Sequence, residues 1–211
     1  MLGIIRVLTT ENPVVFESHG KIIEQMYGIS VRNYCIPNQP YGIHDDETER
    51  MAIPKIVSLA KRIEADGASA ILVSCAADPG VEEARAVVRI PVLGAGSCAA
   101  SAAMAIGRRV GVLNLTGHTP ASPAAVLGTR QVMEIAPAEV ENTTDLMTPA
   151  GERAAVEALQ ELATHCDVIM LACTGFATIK FAAKMRQHVG VPIVDAVEAS
   201  GTMAQLVLRN L

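Results

Sequence analysis

Half of the 211 residues are apolar, but only 3% are aromatic and there is no Trp. This length allows one large domain or two small ones, and the core must be filled by Val, Ile, Leu, Met and Ala, as in buried parallel sheets. A formal net charge of −5 without a basic cluster argues against nucleic acid or an anionic membrane as a partner.

The first hundred residues predict alternating strands and helices. Short apolar runs predict strands at residues 4–8, 29–36, 70–75 and 90–94. Helical patterns predict helices at residues 14–26, 45–63, 81–88 and 97–106. Pro54 is a candidate break in the second helix. A polar turn at 9–13 and a loop rich in helix breakers at 37–42 separate the early elements.

A second cycle of the same elements starts at residue 109. Strands are predicted at residues 109–116, 167–173 and 191–195. Helices are predicted at residues 151–164, 179–188 and 198–208. Residues 126–135 cover a helix and a strand, and residues 142–145 open a further helix. Both cycles therefore begin with a strand and a Thr turn, and both close with an Ile/Val-Pro-Val/Ile strand.

Two of the strands end in cysteine, Cys75 and Cys173, which are 98 positions apart, and the matched prolines Pro91 and Pro192 are 101 positions apart. A repeat of that length exceeds a solenoid unit of ~20–50 residues. It predicts an α/β fold of two pseudo-symmetric lobes, each a parallel sheet flanked by helices, with the active site in the cleft between them. The predicted lobes comprise residues 1–94 with 197–211, and residues 95–196.

The two strand-end cysteines are candidates for acid/base chemistry. An isolated buried cysteine is usually a small hydrophobe, which is our interpretation of Cys35, Cys98 and Cys166. Cys75 and Cys173 instead occupy one point of a repeated unit, each before a turn of small residues. A helix N-terminus after each thiol would lower its pKa from ~8.5. One thiolate would take a proton from a carbon next to a carbonyl, and the other thiol would protonate the opposite face, without a cofactor or metal.

Other candidate residues border the predicted cleft. The turns after the cysteines would stabilise an enolate oxygen through their N–H groups. These turn residues are Ala76, Ala77, Asp78, Thr174, Gly175 and Phe176. Three threonines lie in matching turns after the first strand of each cycle, where they either cap a helix or contact the substrate. They are Thr9, Thr10 and Thr116.

Charged side chains near the cleft have more than one interpretation. Arg6 either extends to solvent or places a cation at the cleft for a carboxylate or enolate oxygen. Asp78 is expected to cap the helix that follows Cys75 rather than to act in catalysis. Asp195 is either a cap or a cleft residue, and His118 is expected to be a solvated loop side chain.

These residues resemble the aspartate/glutamate/hydantoin racemase superfamily over nearly the whole chain. The resemblance is carried by residues 74–80, 90–94, 172–176 and 191–195, and the Cys-x-x-Asp-Pro-Gly form starting at Cys75 is similar to the hydantoin racemase branch. The resemblance implies two pseudo-symmetric α/β lobes and a cofactor-independent mechanism. It also implies that Cys75 and Cys173 are the acid/base pair, each serving one enantiomer.

The chain departs from the superfamily pattern where the substrate is held. Amino-acid racemases usually have Asn-Thr after the first cysteine, whereas Ala76 and Ala77 stand here, and Gly175 replaces the Glu that often follows Cys-Thr. The hydantoin branch usually has Asn-Pro-Asn-Thr after its first strand, whereas residues 9–12 read Thr-Thr-Glu-Asn. The departures after the two cysteines favour a hydantoin over a free amino acid, whereas the departure at residues 9–12 removes the segment that contacts the ring in the hydantoin branch. The substrate is therefore left open.

The sequence thus predicts a racemase that inverts a carbon next to a carbonyl, most simply in a hydantoin or related compound. The alternatives are an aspartate or glutamate racemase, a superfamily isomerase or decarboxylase that uses one cysteine, and a non-catalytic protein that binds a small molecule. A flavin-binding redox protein ranks last, since no Gly-rich phosphate loop is visible. The enantiomer preference is also left open.

The cysteine pattern and the ends of the chain predict the surroundings of the protein. Five scattered cysteines do not form a disulfide framework or a zinc motif. No apolar run approaches ~18–20 residues, and the first residues lack signal-peptide features. We expect a cytoplasmic protein with a small-molecule substrate, neither nucleic acid nor membrane as a partner, and a homo-oligomeric state.

Overall fold

The computed structural model describes residues 1–115 and 117–209 and contains two four-stranded parallel sheets. The first sheet comprises β1 (Leu2–Arg6), β2 (Val31–Cys35), β3 (Ala70–Ser74) and β4 (Val92–Gly94). The second comprises β5 (Val110–Leu113), β6 (Gln131–Ile135), β7 (Val168–Leu171) and β8 (Ile193–Val194). Their strand orders are β2-β1-β3-β4 and β6-β5-β7-β8. The equal order and all-parallel pairing confirm the predicted pair of pseudo-symmetric α/β lobes.

Helices flank both sheets. In the described residues they are α1 (Pro13–Tyr27), α2 (Asp46–Ala65), α3 (Val81–Arg85), α4 (Ala95–Ile106), α5 (Ala121–Leu127), α6 (Thr143–Leu146), α7 (Pro149–Ala163), α8 (Gly175–Thr178), α9 (Phe181–Met185) and α10 (Ala196–Leu208). A short 3₁₀ turn at Gly128–Arg130 joins α5 to β6. None of these helices is long and apolar enough to cross a membrane.

Capping side chains explain where the two long helices of the first lobe begin. Asn12 accepts a hydrogen bond from the N–H of Val14 ahead of α1, which ends at Gly28 with φ 66°. Asp45 and Thr48 form a reciprocal capping box at the start of α2. Helix α2 continues through Pro54, so the predicted break does not occur. A stripe of apolar side chains on α2 packs on β1 and β3, and this packing holds the helix together across the proline.

The predicted helix at residues 179–188 is present only in part. Helix α9 occupies residues 181–185 of that range, α8 ends before it at Thr178, and Lys180 between the two has a left-handed φ of 56°. This conformation interrupts the hydrogen-bond pattern of a single helix. Helix α8 begins at Gly175, so a helical turn follows Cys173 almost at once.

The central strands of both sheets are completely buried, which accounts for their uninterrupted apolar sequences. One core cluster joins the two lobes and includes Leu72 of β3, Ala99 of α4, Val112 of β5, Met170 of β7 and Val197 of α10. Because this core contains residues of both halves, the lobes are packed against each other through α4 and α10. The exact boundary of the lobes, with the last helix assigned to the first, stays a prediction.

Candidate active site

A cavity of about 470 Å³ lies between the lobes at the carboxyl ends of the strands. It is bordered by residues that lie within two positions of the ends of β1, β3, β5 and β7, the four central strands. Both strand-end cysteines line it: Cys75 follows the last residue of β3, and Cys173 lies two residues beyond the end of β7. The structure therefore brings together, at one cavity, two thiols that are 98 positions apart in the chain.

The groups around each sulfur differ. The N–H of Gly175 donates a hydrogen bond to Cys173 Sγ at 3.3 Å, and the hydroxyl of Thr143, which also lines the cavity, is a second partner of that sulfur. On the other side the backbone of Ala77 interacts with the Cys75 thiol. Each turn thus offers an N–H group to the thiol that precedes it, and the predicted stabilisation of an enolate oxygen by these turns stays a prediction.

The predicted lowering of the thiol pKa values is wrong. Burial raises the pKa of Cys173 to about 11, although the Gly175 N–H and the Thr143 hydroxyl oppose the shift. Burial raises the pKa of Cys75 more strongly, against the opposing effect of the Ala77 N–H. Loss of hydration destabilises a thiolate more than one N–H donor stabilises it. The helix after Cys75 adds little, because α3 starts only at Val81 and is five residues long.

We expect alkylation to follow these pKa values. Only the thiolate reacts, so iodoacetamide should modify Cys173 slowly near pH 7 and faster at each step up to about pH 10, with Cys75 reacting later. Peptide mass spectrometry measures both rates, and urea-unfolded protein, in which all five thiols regain ordinary pKa values, is the control. Faster modification of Cys75 than of Cys173, or a rate that is flat from about pH 7 to about pH 9, would contradict the assigned shifts.

Asp78 caps a helix, but a different one from the helix predicted. Its carboxylate accepts hydrogen bonds from the N–H groups of Gly96 (2.6 Å) and Ser97 (2.7 Å), in the first turn of α4, and from the hydroxyls of Ser97 and Ser122. Its backbone has a left-handed φ of 56°. Asp78 therefore ties the turn after Cys75 to the start of α4, and it is not among the residues that line the cavity.

Arg6 does not reach solvent, so that interpretation is wrong. The residue is 4% exposed, and its guanidinium donates to the carbonyls of Val15 (2.6 Å) and Phe16 (3.2 Å) and to the Ser18 hydroxyl. Burial lowers the pKa of Arg6 to about 10. Arg6 thus holds α1 against the end of β1 and lies outside the cavity lining, and its predicted contact with substrate stays a prediction that this placement does not favour.

Two of the three threonines that were predicted to contact the substrate do not line the cavity. Thr9 donates to the carbonyl of Ile36 at 2.6 Å and accepts from the N–H of Gln39, while Thr10 accepts from the N–H of Asn12. Both hydroxyls therefore organise the loop after β1, and neither residue lines the cavity. Thr116 lies outside the described residues.

The remaining predicted residues lie near the cysteines. Ala76, Ala77 and Thr174 line the cavity, and the Thr174 hydroxyl donates to the carbonyl of Ser74 at 3.1 Å. Phe176 is fully buried and packs on Phe181 with ring centroids 5.2 Å apart, so its side chain belongs to the core.

The structure also places Asp195 and His118. Asp195 caps α10 by accepting from the N–H groups of Val197 and Glu198, and burial raises its pKa to about 6. His118 is exposed, as predicted, and lies at the rim of the cavity.

Sequence reasoning missed one wall of the cavity. This wall is formed by His44, Asp45, Asp46 and Glu49 at the start of α2, and Thr143 also lines the cavity. The acidic run at the start of α2 was visible in the sequence, but nothing local indicates that it faces the cysteines. Among the described residues, no group of His, Cys, Asp or Glu is placed to hold a metal ion.

Comparison with known proteins agrees with this architecture. The family model described as Asp/Glu/hydantoin racemase matches residues 27–204. The chain is similar to a hydantoin racemase of Rhizobium meliloti, with 27% identity over 178 residues, covering 80% of this chain and 72% of the relative. It is similar to a hydantoin racemase of Pseudomonas sp. (strain NS671), with 24% identity over 182 residues, covering 80% and 70%. Its fold is similar to that of allantoin racemase from Klebsiella pneumoniae, with a TM-score of 0.84 and 19% identity over 99% of this chain and 87% of that one.

Proposed function

The chain belongs to the Asp/Glu/hydantoin racemase family, and we propose that Cys75 and Cys173 are its opposed acid and base. The observation that carries this proposal is that both thiols, at equivalent strand ends of the two lobes, border one cavity. Inversion of a carbon centre requires one proton carrier on each side of it, and a cavity bordered by both thiols can supply such a pair.

The proposed reaction moves one proton at a time. The thiolate of one cysteine takes the proton from a carbon next to a carbonyl, and the electron pair of the broken C–H bond forms an enolate. The thiol of the other cysteine then protonates the opposite face of that carbon, and the enolate electrons form the new C–H bond. The thiol and thiolate have exchanged roles at the end, so each enantiomer is deprotonated by a different cysteine.

The raised thiol pKa values suit this chemistry. A thiolate with a high pKa is a strong base, which favours removal of a proton from a weakly acidic carbon. At neutral pH only a small fraction of the enzyme has Cys173 ionised, since its pKa is about 11. The N–H groups of Ala77 and Gly175 stabilise each thiolate as it forms. Stabilisation of the enolate oxygen by the same turns remains part of the proposal.

The walls of the cavity favour a neutral substrate. Among the described lining residues none is Lys or Arg, whereas Asp45, Asp46 and Glu49 are acidic. Burial raises the pKa of Glu49, and neighbouring Asp46 adds to that effect. Aspartate and glutamate carry a second carboxylate, which the like charge of this wall would repel. We therefore propose a hydantoin substituted at C5, or a related neutral ring, in preference to aspartate or glutamate.

A panel of single enantiomers tests this function. We expect the optical rotation to be lost while solvent deuterium replaces the C5 proton. Polarimetry measures the loss of rotation, and NMR measures the exchange. 5-(Carbamoylmethyl)hydantoin should have about tenfold higher kcat/KM than 5-(carboxymethyl)hydantoin of the same shape, because one nearby like charge costs ~1–4 kcal/mol. Glu49→Gln should reduce that ratio, and enzyme-free buffer measures spontaneous racemisation.

Other outcomes of the same panel would replace the proposal. Faster turnover of aspartate or glutamate than of any hydantoin would assign an amino-acid racemase. Release of carbon dioxide from a malonate, or a covalent adduct at one thiol, would indicate a decarboxylase or another isomerase. Tight binding with intact thiols and no deuterium exchange would indicate a binding protein.

The reaction proposed here transfers only protons and needs no cofactor. The homo-oligomeric state and the cytoplasmic location stay predictions. Native mass spectrometry of the purified protein measures the first, and cell fractionation measures the second.

A further inference from the structure

A buried histidine from outside both cysteine turns connects them. His19 lies on α1 and is 1% exposed. Its Nδ1 is 2.8 Å from the hydroxyl of Ser74, and its Nε2 is 3.0 Å from the hydroxyl of Thr178. Ser74 is the last residue of β3 and directly precedes Cys75. Thr178 is the last residue of α8, which starts two residues after Cys173.

The two hydrogen bonds match a neutral imidazole. Burial lowers the pKa of His19 well below its usual value, and the nearby Arg6 charge adds to this effect. A neutral ring has one N–H and one lone-pair nitrogen, so it donates to one hydroxyl and accepts from the other. Ser74 is itself buried, at 1% exposure, so no solvent competes for its contact with the ring.

The helix that carries His19 is held in place on the first lobe. The guanidinium of Arg6, at the end of β1, binds the carbonyls of Val15 and Phe16 in α1. A Cβ on Gly20 would lie 2.5 Å from the side-chain amide of Asn33, so α1 approaches β2 closely. A direct bond from the Thr174 hydroxyl to the Ser74 carbonyl links the same two turns a second time. His19 therefore bridges the segments next to Cys75 and Cys173 from a helix, α1, that is itself held in place.

We propose that His19 is a positioning residue that sets the separation and orientation of the two thiols by holding Ser74 and Thr178. The inference rests on the two-thiol function proposed above. His19 does not line the cavity, so it acts through the residues it binds. Abstraction and return of the proton must take place on opposite faces of one carbon, and a shift of about 1 Å in such an arrangement costs on the order of 100-fold in rate.

Displacement of one thiol leaves a recognisable kinetic signature. The first cysteine still removes the substrate proton, but the second no longer reaches the opposite face in time. The first cysteine then returns a solvent-derived proton to the face from which it took one. Deuterium therefore enters without inversion, and the ratio of exchange to racemisation rises. A mutation that only lowers the amount of folded enzyme reduces both rates equally and leaves this ratio unchanged.

The experiment compares His19→Leu, which removes both hydrogen bonds, with His19→Asn and His19→Gln, whose amides restore part of them. We expect His19→Leu to lower kcat about 100-fold with little change in KM, and to raise the exchange-to-racemisation ratio several-fold. The amide variants should fall between it and the wild type. Ser74→Ala and Thr178→Val should each shift the ratio in the same direction. His165→Asn, at an exposed position, is the matched control.

A second measurement is independent of any substrate. Bis-methanethiosulfonates of increasing linker length are used to cross-link Cys75 to Cys173, and the yield is compared with single modification by methyl methanethiosulfonate. We expect His19→Leu to shift the linker length of highest yield or to lower that yield. If the wild type racemises nothing, the proposed function fails while this readout still tests His19. If the His19 variants match the wild type in linker preference and, for an active enzyme, in exchange ratio, the positioning role is refuted. If His19→Leu does not fold, the two amide variants decide the question.

Discussion

Replacement of either Cys75 or Cys173 by serine is expected to lower the rate of racemisation by about 10³-fold or more in both directions. In the proposed mechanism each cysteine is the base for one enantiomer and the acid for the other, so loss of one removes a partner from both reactions. Positioned proton transfer contributes ~10²–10⁴-fold per group, and a serine hydroxyl is a far weaker acid than a thiol. The measurement is polarimetry of both enantiomers with each variant.

The two single variants should differ in isotope exchange. The enantiomer whose base remains should still take up solvent deuterium without inversion, and the opposite enantiomer should not. Each variant should therefore show deuterium exchange with one enantiomer only, and that enantiomer should differ between the two variants. Cys35→Ser is the control, because Cys35 is also half-buried and reduced but does not line the cavity. Normal racemisation by both single variants would disprove the mechanism.

Replacement of Asp78 by alanine is expected to reduce the free energy of unfolding by about 2–4 kcal/mol. Its carboxylate accepts hydrogen bonds from two N–H groups at the start of α4 and from two hydroxyls. Loss of such a cap costs ~0.5–2 kcal/mol, and the polar groups left without a partner cost a further ~1–3 kcal/mol. Alanine also tolerates the left-handed φ of 56° poorly. Urea unfolding followed by circular dichroism measures the change.

Two further variants separate these contributions. Asp78→Asn keeps a side-chain acceptor and tolerates the left-handed backbone, so we expect it to lose less stability than Asp78→Ala. Asn12→Ala removes an exposed cap from α1, where one N–H is affected, and should cost only about 0.5–1 kcal/mol. A change of less than about 0.5 kcal/mol for Asp78→Ala would show that the carboxylate does not hold the turn after Cys75 to α4.

The sequence determined the architecture because the relevant signals are local and repeated. The buried central strands are short apolar runs, and their spacing alternates with helical patterns in two matching cycles. The position of a cysteine at the end of the third strand of each cycle follows from that repeat. Parallel strands place their carboxyl ends at one edge of a sheet, so the cavity between Cys75 and Cys173 was predictable without coordinates.

The tertiary structure alone decided the properties that depend on distant partners. The sign of the thiol pKa shifts results from competition between burial and turn N–H groups, and sequence shows only the second. Asp78 binds the first turn of α4, 18 positions away, rather than the helix next to it. His19 joins residues that are 55 and 159 positions distant, so no local pattern marks it. Desolvation and long-range hydrogen bonds exist only once the chain has packed, and they set the chemistry of an architecture that the sequence already specifies.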